Sequence, residues 1–281
     1  MRVMKPYYRS QEGDFTLYKG DTRIVVPEIP GRCFDMVFAD PPYFLSNGGF
    51  SVQSGKQVSV DKGEWDRSKG LEADTKFNYQ WIKACRERLA DDGTVWVCGT
   101  FHNIFSVATV LSELNFRILN AVTWQKSNPP PNLSCRFFTH STEIIVWARK
   151  DKKIAHYYNY DLMHELAGNR QMTDVWRMPA IGPWEKSCGK HPCQKPLSLV
   201  VRAILASTKD GARILDPFTG SSTTGIAANL LDREFVGVDS EESFLTMSVE
   251  RHSQLTKNRD LWADKIPDLK YLRSKVKGVQ L

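Results

Sequence analysis

Four residues near the start of the chain, Asp40-Pro41-Pro42-Tyr43, are of types that could do chemistry on a nucleobase. Two prolines fix the backbone, so the Asp40 carboxylate and neighbouring main-chain carbonyls can converge as hydrogen-bond acceptors. Tyr43 offers a flat face on which a base can stack. The amino group of a base is a poor nucleophile because its lone pair is delocalised into the ring. Accepting its hydrogens at Asp40 and at the Pro41 carbonyl would localise that lone pair for attack. The alternative is a proline-stiffened turn with a helix-capping aspartate.

A second candidate site is the stretch 214–225, Ile-Leu-Asp-Pro-Phe-Thr-Gly-Ser-Ser-Thr-Thr-Gly. Its small residues let the backbone approach a ligand closely, and no lysine stands where a phosphate-binding loop would have one. About twenty residues later Asp239 ends a strand-like run, a spacing that suits a carboxylate on the ribose hydroxyls of a nucleoside cofactor. Each piece alone could be a tight strand-to-helix turn. Together, and with Asp40, they indicate a site for such a cofactor.

Short β-rich runs alternate with helix-spaced apolar residues, which predicts an α/β sheet, mostly parallel, with helices on both faces. Both motifs directly follow strand-like runs, so they should meet at the carboxyl edge of that sheet. The seven predicted strands are Phe15–Lys19, Phe34–Ala39, Thr94–Cys98, Ile118–Trp124, Glu143–Ala148, Arg213–Leu215 and Glu234–Val238.

These motifs and their order resemble the β group of S-adenosylmethionine-dependent DNA amino-methyltransferases, in which D-P-P-Y precedes the cofactor motif. The stretches 40–49, 58–63, 132–136 and 140–143 more narrowly resemble the DpnA-type adenine-N6 methyltransferases that act on GATC. The resemblance runs from Lys5 to Arg251. It implies a Rossmann-like methyltransferase fold with permuted motif order and a seven-stranded sheet. One strand should be antiparallel, for which Glu143–Ala148 is the candidate.

The resemblance also assigns roles to particular residues. It implies catalysis by Asp40, Pro41, Pro42 and Tyr43 on an adenine that is flipped out of a duplex or presented on a single strand. It implies no metal. Adenosylmethionine should lie over the loop that begins at Asp216, with Asp239 on its ribose, Asp21 near its adenine, and Asp40 and Lys195 beside it. The loop residues concerned are Asp216, Phe218, Gly220, Ser221, Ser222, Thr223 and Thr224.

Two residues depart from the family pattern. Ser222 stands where a glycine is usual, which is unfavourable if that position needs a positive φ. Cys193 stands in place of a threonine, and Pro192-Cys193 resembles the nucleophile of cytosine-C5 methyltransferases. Motif order and context argue against C5 chemistry. Cytosine-N4 methylation and a non-catalytic nucleic-acid binder remain alternatives, and Asp40 favours adenine. Glu143 is interpreted as a capping partner of His140.

Composition bounds the class of protein. The chain has 281 residues, 41% of them apolar and 25% charged, which excludes a disordered or fibrous chain. No apolar run approaches the roughly 18 residues of a membrane span, and the first residues show no secretory leader. Six cysteines are too sparse for a disulfide framework. We therefore expect a cytoplasmic protein with no membrane partner.

Charge by position suggests a nucleic-acid partner. The net charge is +6. Residues 251–281 carry +5 and residues 149–190 carry +3, while the rest of the chain carries −2 and the stretch 44–76 is neutral. We expect one methyltransferase domain over 1–281, with a flap at 44–76, a target-recognition insertion at 149–190 and a basic tail at 251–281. Lys152 and Lys153 should contact DNA phosphates, and Arg177 and Trp184 should contact bases. A homodimer and a cognate restriction endonuclease are left open.

Overall fold

One long β-sheet organises the computed structural model, which describes residues 4–46, 50–53, 56–59, 66–132, 134–189 and 191–278. The strands are β1 (Tyr8–Arg9), β2 (Phe15–Lys19), β3 (Phe34–Ala39), β4 (Phe50–Gln53), β5 (Lys56–Ser59), β6 (Leu89–Gly99), β7 (Arg117–Lys126), β8 (Thr142–Arg149), β9 (Val175–Met178), β10 (Arg213–Asp216) and β11 (Glu234–Asp239). The helices are α1 (Thr22–Glu28), α2 (Leu71–Arg88), α3 (Ile104–Glu113), α4 (Tyr160–Leu166), α5 (Leu197–Ser207), α6 (Thr223–Leu230), α7 (Glu242–Ala263) and α8 (Pro267–Gly278).

The strand order across the main sheet is β1-β2-β11-β10-β3-β6-β8-β7-β9. Strand β8 is antiparallel to both its neighbours, as predicted for Glu143–Ala148, and β1 is antiparallel to β2. All seven predicted strands are present, and the prediction of a mostly parallel α/β sheet is confirmed. The predicted strand count is wrong, because β1 and β9 extend the sheet to nine strands within the described residues. Strands β4 and β5 form a separate antiparallel pair.

The core lies on both faces of the sheet, as the period-two alternation of β3 shows. Met36 and Phe38 pack on the face covered by α4 to α8, whereas Val37 and Ala39 pack on the face covered by α1 to α3. Because β3 is buried on both faces, its sequence is a nearly continuous apolar run. The rigid sheet therefore fixes the position of Asp40, the residue that follows it.

Residues 149–190 differ from the expected insertion. Strand β9 pairs in parallel with β7, and Met163, Trp176 and Met178 are buried in the same core cluster as the sheet. The Trp176 ring is buried and tilted against that of Trp96, with 5.8 Å between ring centroids, so it is not a surface aromatic. The segment is an integral edge of the sheet because its apolar side chains face the core.

Residues 251–281 also differ from the expected basic tail. They continue α7 and form α8, with Leu255, Trp262 and Leu269 buried. Arg251 is 1% exposed. Several other cations are neutralised by ion pairs within the protein: Arg259 with Asp232, Arg273 with Asp260 and Asp264, and Lys275 with Glu165. The net charge of +5 therefore overstates how many cations of this segment are exposed and unpaired.

The predicted flap, 44–76, is described only in part. Residues 44–46, the β4–β5 pair and residues from 66 onward are described, and the range ends inside α2. Parts of the sequence stretches that carried the resemblance, 47–49, 60–63 and 133, lie outside the described residues. In the described part of the chain no helix is long and apolar enough to cross a membrane.

Candidate active site

Four loops converge at the carboxyl edge of the sheet, because they follow neighbouring strands in the order β2, β11, β10 and β3. Between them lies a cavity of about 1000 Å³, including the solvent at its mouth. Such a crevice is where open α/β sheets bind ligands. Its lining comprises Gly20, Asp21, Thr22, Asp40, Pro41, Pro42, Tyr43, Asp66, Phe77, His191, Cys193, Pro217, Phe218, Gly220, Asp239, Ser240, Glu241 and Phe244.

Two carboxylates fix the loop after β10. Asp216 accepts hydrogen bonds from the Phe218 N–H at 3.0 Å and the Thr224 hydroxyl at 2.6 Å. Burial raises the pKa of Asp216 to about 7. Asp239 accepts from the Gly220 N–H at 2.7 Å and the Glu241 N–H at 2.9 Å, and burial also raises its pKa. These bonds fix the backbone of the loop that lines the cavity.

Gly220 and Ser222 both adopt positive φ in this loop. Gly220 has φ +47°, and a Cβ there would meet the His191 ring at 2.7 Å, so glycine is required. Ser222 has φ +54° and is fully buried, and its hydroxyl lies 2.9 Å from that of Thr219. The serine therefore occupies the left-handed region that glycine adopts without cost.

Arg251 supports the same loop from behind. Its guanidinium donates to Ser221 and to the Thr223 hydroxyl, and burial lowers its pKa to about 10. Ser221, Ser222, Thr223 and Thr224 are buried and shape the loop, whereas Phe218, Gly220 and Asp239 line the cavity. Sequence analysis missed Arg251 because it counted this residue with the tail.

Asp21 lines the opposite wall of the cavity at the start of α1. Its carboxylate caps α1 by accepting from the Arg23 N–H at 2.9 Å, and it also pairs with the Arg23 guanidinium. The hydrogen bonds and charge of Arg23 outweigh burial and lower the pKa of Asp21. Asp21 is therefore an anion at neutral pH, held where an adenine or ribose of a cofactor could meet it.

The Asp-Pro-Pro-Tyr motif presents Asp40 at the cavity floor. One Asp40 oxygen accepts from the Tyr43 hydroxyl at 2.7 Å, and the other accepts from the Lys195 ammonium at 2.6 Å. The same ammonium lies 5.1 Å from the centre of the Tyr43 ring. The Pro42 carbonyl accepts from the Asn103 amide at 3.3 Å, which ties the motif to the loop after β6. Lys195, 155 residues from Asp40, is thus joined to the motif.

Glu143 belongs to this network, contrary to the capping interpretation. Its carboxylate lies 2.6 Å from the Lys126 ammonium and 3.6 Å from that of Lys195, and it accepts from the Tyr43 hydroxyl at 3.3 Å. Burial favours the neutral acid, but the charges of Lys195 and Lys126 prevail and lower the pKa of Glu143. Burial likewise opposes the Lys195 ammonium, yet Asp40 and Glu143 raise its pKa. The four groups, Asp40, Lys195, Glu143 and Lys126, form a chain of three largely buried ion pairs.

Asp66 is a second residue that sequence analysis missed. It is fully buried, and its carboxylate accepts from the backbone N–H groups of Tyr43, Phe44 and Leu45 and from the Ser46 hydroxyl, at 2.7–3.3 Å. Phe44 has φ +58°, a strained conformation for a bulky residue. Asp66 holds the chain in that turn and so fixes the end of the catalytic motif.

The structure does not bring together the four predicted DNA contacts. Lys152 and Lys153 follow β8, which runs opposite to β3, so they lie at the far edge of the sheet from Asp40. Trp184 is half-buried against Trp262 at 5.7 Å between ring centroids. Arg177 is exposed in β9 and aligned with Gln125 near the carboxyl edge. Of the four, Arg177 has a placement that favours contact with a molecule at the site.

Within the described residues, no group of three His, Cys, Asp or Glu side chains could hold a metal ion. Cys193 lines the cavity, and its N–H lies 3.3 Å from the His191 ring nitrogen. Burial and the Asp40 charge raise the pKa of the nearby Cys98 thiol.

Comparison with known proteins agrees with this geometry. Residues 34–250 match the DNA methylase family. Type II methyltransferase M2.MboI of Moraxella bovis is 52% identical over 256 residues, covering 91% of this chain and 93% of that protein. Type II methyltransferase M2.DpnII of Streptococcus pneumoniae is 53% identical over 250 residues, covering 89% and 92%. The chain belongs to the DNA methylase family. The resemblance inferred from its motifs is confirmed.

Solved structures show the same fold for this DNA methylase. The M1.HpyAVI–SAM complex superposes with a TM-score of 0.66 at 24% identity, covering 85% of this chain and 98% of that one. The cytosine-N4-specific PvuII DNA methyltransferase superposes with a TM-score of 0.69 at 18% identity, covering 88% of each chain. At these identities the likeness concerns the fold alone.

Proposed function

We propose that this DNA methylase transfers the methyl group of S-adenosylmethionine to the N6 amine of adenine, within the sequence GATC. The observation that carries the proposal is the shared cavity: Asp40 of the Asp-Pro-Pro-Tyr motif and Phe218 and Gly220 of the loop after β10 line it together. The relatives at 52–53% identity are Type II methyltransferases, which supports a site-specific activity. GATC itself rests on the likeness of residues 40–49 and 132–136 to the DpnA type.

The cavity has the chemistry that adenosylmethionine requires. Asp21, Asp239 and Glu241 line it with carboxylates, which suit a ligand that carries a sulfonium and an ammonium group. Phe77, Phe218 and Phe244 provide apolar walls for its adenine. Gly220 lines the cavity and carries no side chain, so the loop backbone can approach the ligand closely there. When bound, the cofactor supplies an electrophilic methyl group.

Asp40 accepts a hydrogen bond from the target amine, which raises the nucleophilicity of the nitrogen. As the nitrogen bonds to the methyl carbon the sulfonium C–S bond breaks, and the proton that the amine loses leaves through the Asp40 carboxylate to water. Its oxygens already accept two donors, Tyr43 and Lys195, and the Lys195 ammonium occupies the place expected for the amine. Glu143 lies 3.6 Å from that ammonium, so Lys195 can move its hydrogen bond to Glu143 without losing an anionic partner. The base then replaces Lys195 on Asp40. Positioning and electrostatics, not a covalent intermediate, lower the barrier.

The substrate is DNA from which the adenine is flipped, since N6 cannot reach Asp40 while the base is stacked. Arg177 is proposed as a DNA contact on the strength of its exposed position. We further propose that the protein acts in the cytoplasm as the modification enzyme of a restriction system, with a cognate endonuclease. Whether it acts as a homodimer is answered by sedimentation of the DNA complex.

The test is methylation of DNA with tritiated S-adenosylmethionine, followed by nucleoside analysis and mapping. Label in N6-methyl-2′-deoxyadenosine at GATC, and its absence from DNA in which GATC is changed to GTTC, supports the proposal. Label in N4-methylcytosine, or an absence of transfer despite bound cofactor, contradicts it. The same assay on single-stranded and duplex DNA measures strand preference.

A further inference from the structure

Four exposed rings lie in contact beside the active site, and Phe138 follows Phe137 in the chain. These five residues are here called the aromatic ridge: Phe101, His102, Phe137, Phe138 and His140. Ring centroids lie 3.8 Å apart for Phe101 and His102, 5.5 Å for Phe101 and His140, and 5.3 Å for Phe137 and His140. Phe101 is 52% exposed, Phe137 58% and Phe138 96%. Soluble proteins rarely leave so much contiguous aromatic surface uncovered without a binding role.

The ridge is joined directly to the catalytic motif. Phe101 and His102 follow β6, and the Asn103 amide donates to the Pro42 carbonyl at 3.3 Å. The other rings precede β8, whose second residue, Glu143, reaches Lys195 and the Tyr43 hydroxyl. Gly99 and Ile144 are paired in the sheet, so both segments leave it at the same place. Whatever covers the ridge therefore lies next to Asp40.

The charge around the ridge fits a polyanion. Neither 100–112 nor 125–142 contains an aspartate or glutamate, and Arg136 is exposed beside Phe137. Burial, with the nearby charge of His140, lowers the pKa of His102, so its ring is neutral at neutral pH and can stack. Aromatic rings bind unstacked bases through their faces, whatever the base sequence. Bases flanked by phosphates thus match both properties of this surface.

We infer that the aromatic ridge opens the DNA, with Phe137 and Phe138 stacking into the gap that the flipped adenine leaves. The inference rests on the proposed function and deepens it by placing strand opening in the 134–140 loop. It shifts the DNA interface away from Lys152, Lys153 and Trp184. A side chain that stacks in the gap lowers the free energy needed to unpair and unstack the adenine, a step that precedes the arrival of its amine at Asp40.

The variants Phe137→Ala and Phe138→Ala, singly and together, test this role. Leu261→Ala is the control, since Leu261 is a comparably exposed apolar residue near the end of α7. Each protein is assayed on a duplex with a paired target adenine, on the same duplex with an abasic site opposite that adenine, and on single-stranded DNA. Fluorescence of 2-aminopurine at the target position reports unstacking.

The double variant should lose roughly 10- to 100-fold in kcat/KM on the paired duplex, the range expected for lost base stacking. Its 2-aminopurine signal should fall in parallel. On the abasic duplex and the single strand the loss should be under about threefold, and Leu261→Ala should match wild type throughout. Equal losses on all three DNAs, or no loss on the paired duplex, would overturn the inference. If the wild-type protein methylates adenine in none of the three DNAs, the proposed function is overturned instead.

Discussion

Replacing Glu143 with glutamine should slow methyl transfer without lowering the affinity for the cofactor. The amide keeps the size of the side chain and an oxygen for the Tyr43 hydroxyl, but it removes the negative charge 3.6 Å from the Lys195 ammonium. At an effective dielectric constant of about 20, that attraction is worth about 5 kcal/mol. The amide dipole still attracts the Lys195 ammonium, and the interaction of Glu143 with Lys126 is lost as well. We therefore expect only about 1–3 kcal/mol of this energy to appear as a higher barrier to methyl transfer.

The physical reason is competition at Asp40. Without the Glu143 charge, Lys195 has one remaining carboxylate partner, Asp40 at 2.6 Å, and the target amine must displace it. A barrier higher by about 1–3 kcal/mol corresponds to roughly 5- to 150-fold in rate. Single-turnover transfer from tritiated cofactor to a GATC duplex measures it, and calorimetry measures cofactor affinity, which should change less than about threefold.

Glu165→Gln is the matched control, because Glu165 pairs with Lys275 at the surface of α4 and α8. It should transfer methyl groups at the wild-type rate. A Glu143→Gln protein within twofold of wild type would refute the transfer of Lys195 from Asp40 to Glu143. A loss of cofactor affinity as large as the loss of rate would place Glu143 in cofactor binding instead.

Three further predictions concern residues that shape the cavity. Asp66→Ala removes an acceptor of four hydrogen bonds, so unfolding should become easier by about 2–4 kcal/mol in denaturant titrations and turnover should fall, with Asp66→Asn intermediate. Asp216 has a pKa of about 7, and a cationic cofactor stabilises its anion. Cofactor binding near pH 6 should therefore release a proton, and cofactor affinity should increase as the pH rises to about 7. Calorimetry in buffers of different ionisation enthalpy measures the released proton. No proton release, or the same release in Asp216→Asn, would contradict this assignment. Ser222→Ala keeps a Cβ at φ +54° but loses the hydrogen bond to Thr219, whereas Ser222→Gly adopts this φ without strain. The free energy of unfolding, measured by denaturant titration, should be about 1 kcal/mol lower for Ser222→Ala than for Ser222→Gly. The reverse order would contradict strain at this position.

The sequence predicted the parts of the fold that depend on local pattern. The run Phe34–Ala39 is apolar on both faces, and its strand has the predicted bounds, as has Phe15–Lys19. The strands β1 and β9 were missed because two and four residues are too short to show a period. Asp40, Phe218, Gly220 and Asp239 were placed in one cavity by the rule that sites lie at the carboxyl ends of parallel strands.

The parts that depend on long-range partners could not be read from the sequence. Glu143 resembles a strand-start residue until the sheet brings it to Lys195, 52 positions away, and Asp66 gains its role only from the turn at Phe44. Arg251 was counted as a surface charge although it is buried under the loop at Ser221. A count of charges shows neither which of them are already paired nor at which edge of the sheet they lie, and Lys152 and Lys153 lie at the edge far from Asp40.

The measurement that tests the central claim most directly is single-turnover methyl transfer by Asp40→Ala, alongside its affinity for adenosylmethionine. If Asp40 accepts the hydrogens of the target amine, the rate should fall by at least about 10²–10³, the usual effect of losing one such catalytic hydrogen bond. Cofactor affinity should stay within a few-fold, because the loop after β10 and Asp239 are intact. An Asp40→Ala protein that transfers methyl groups at a near-normal rate would contradict the account.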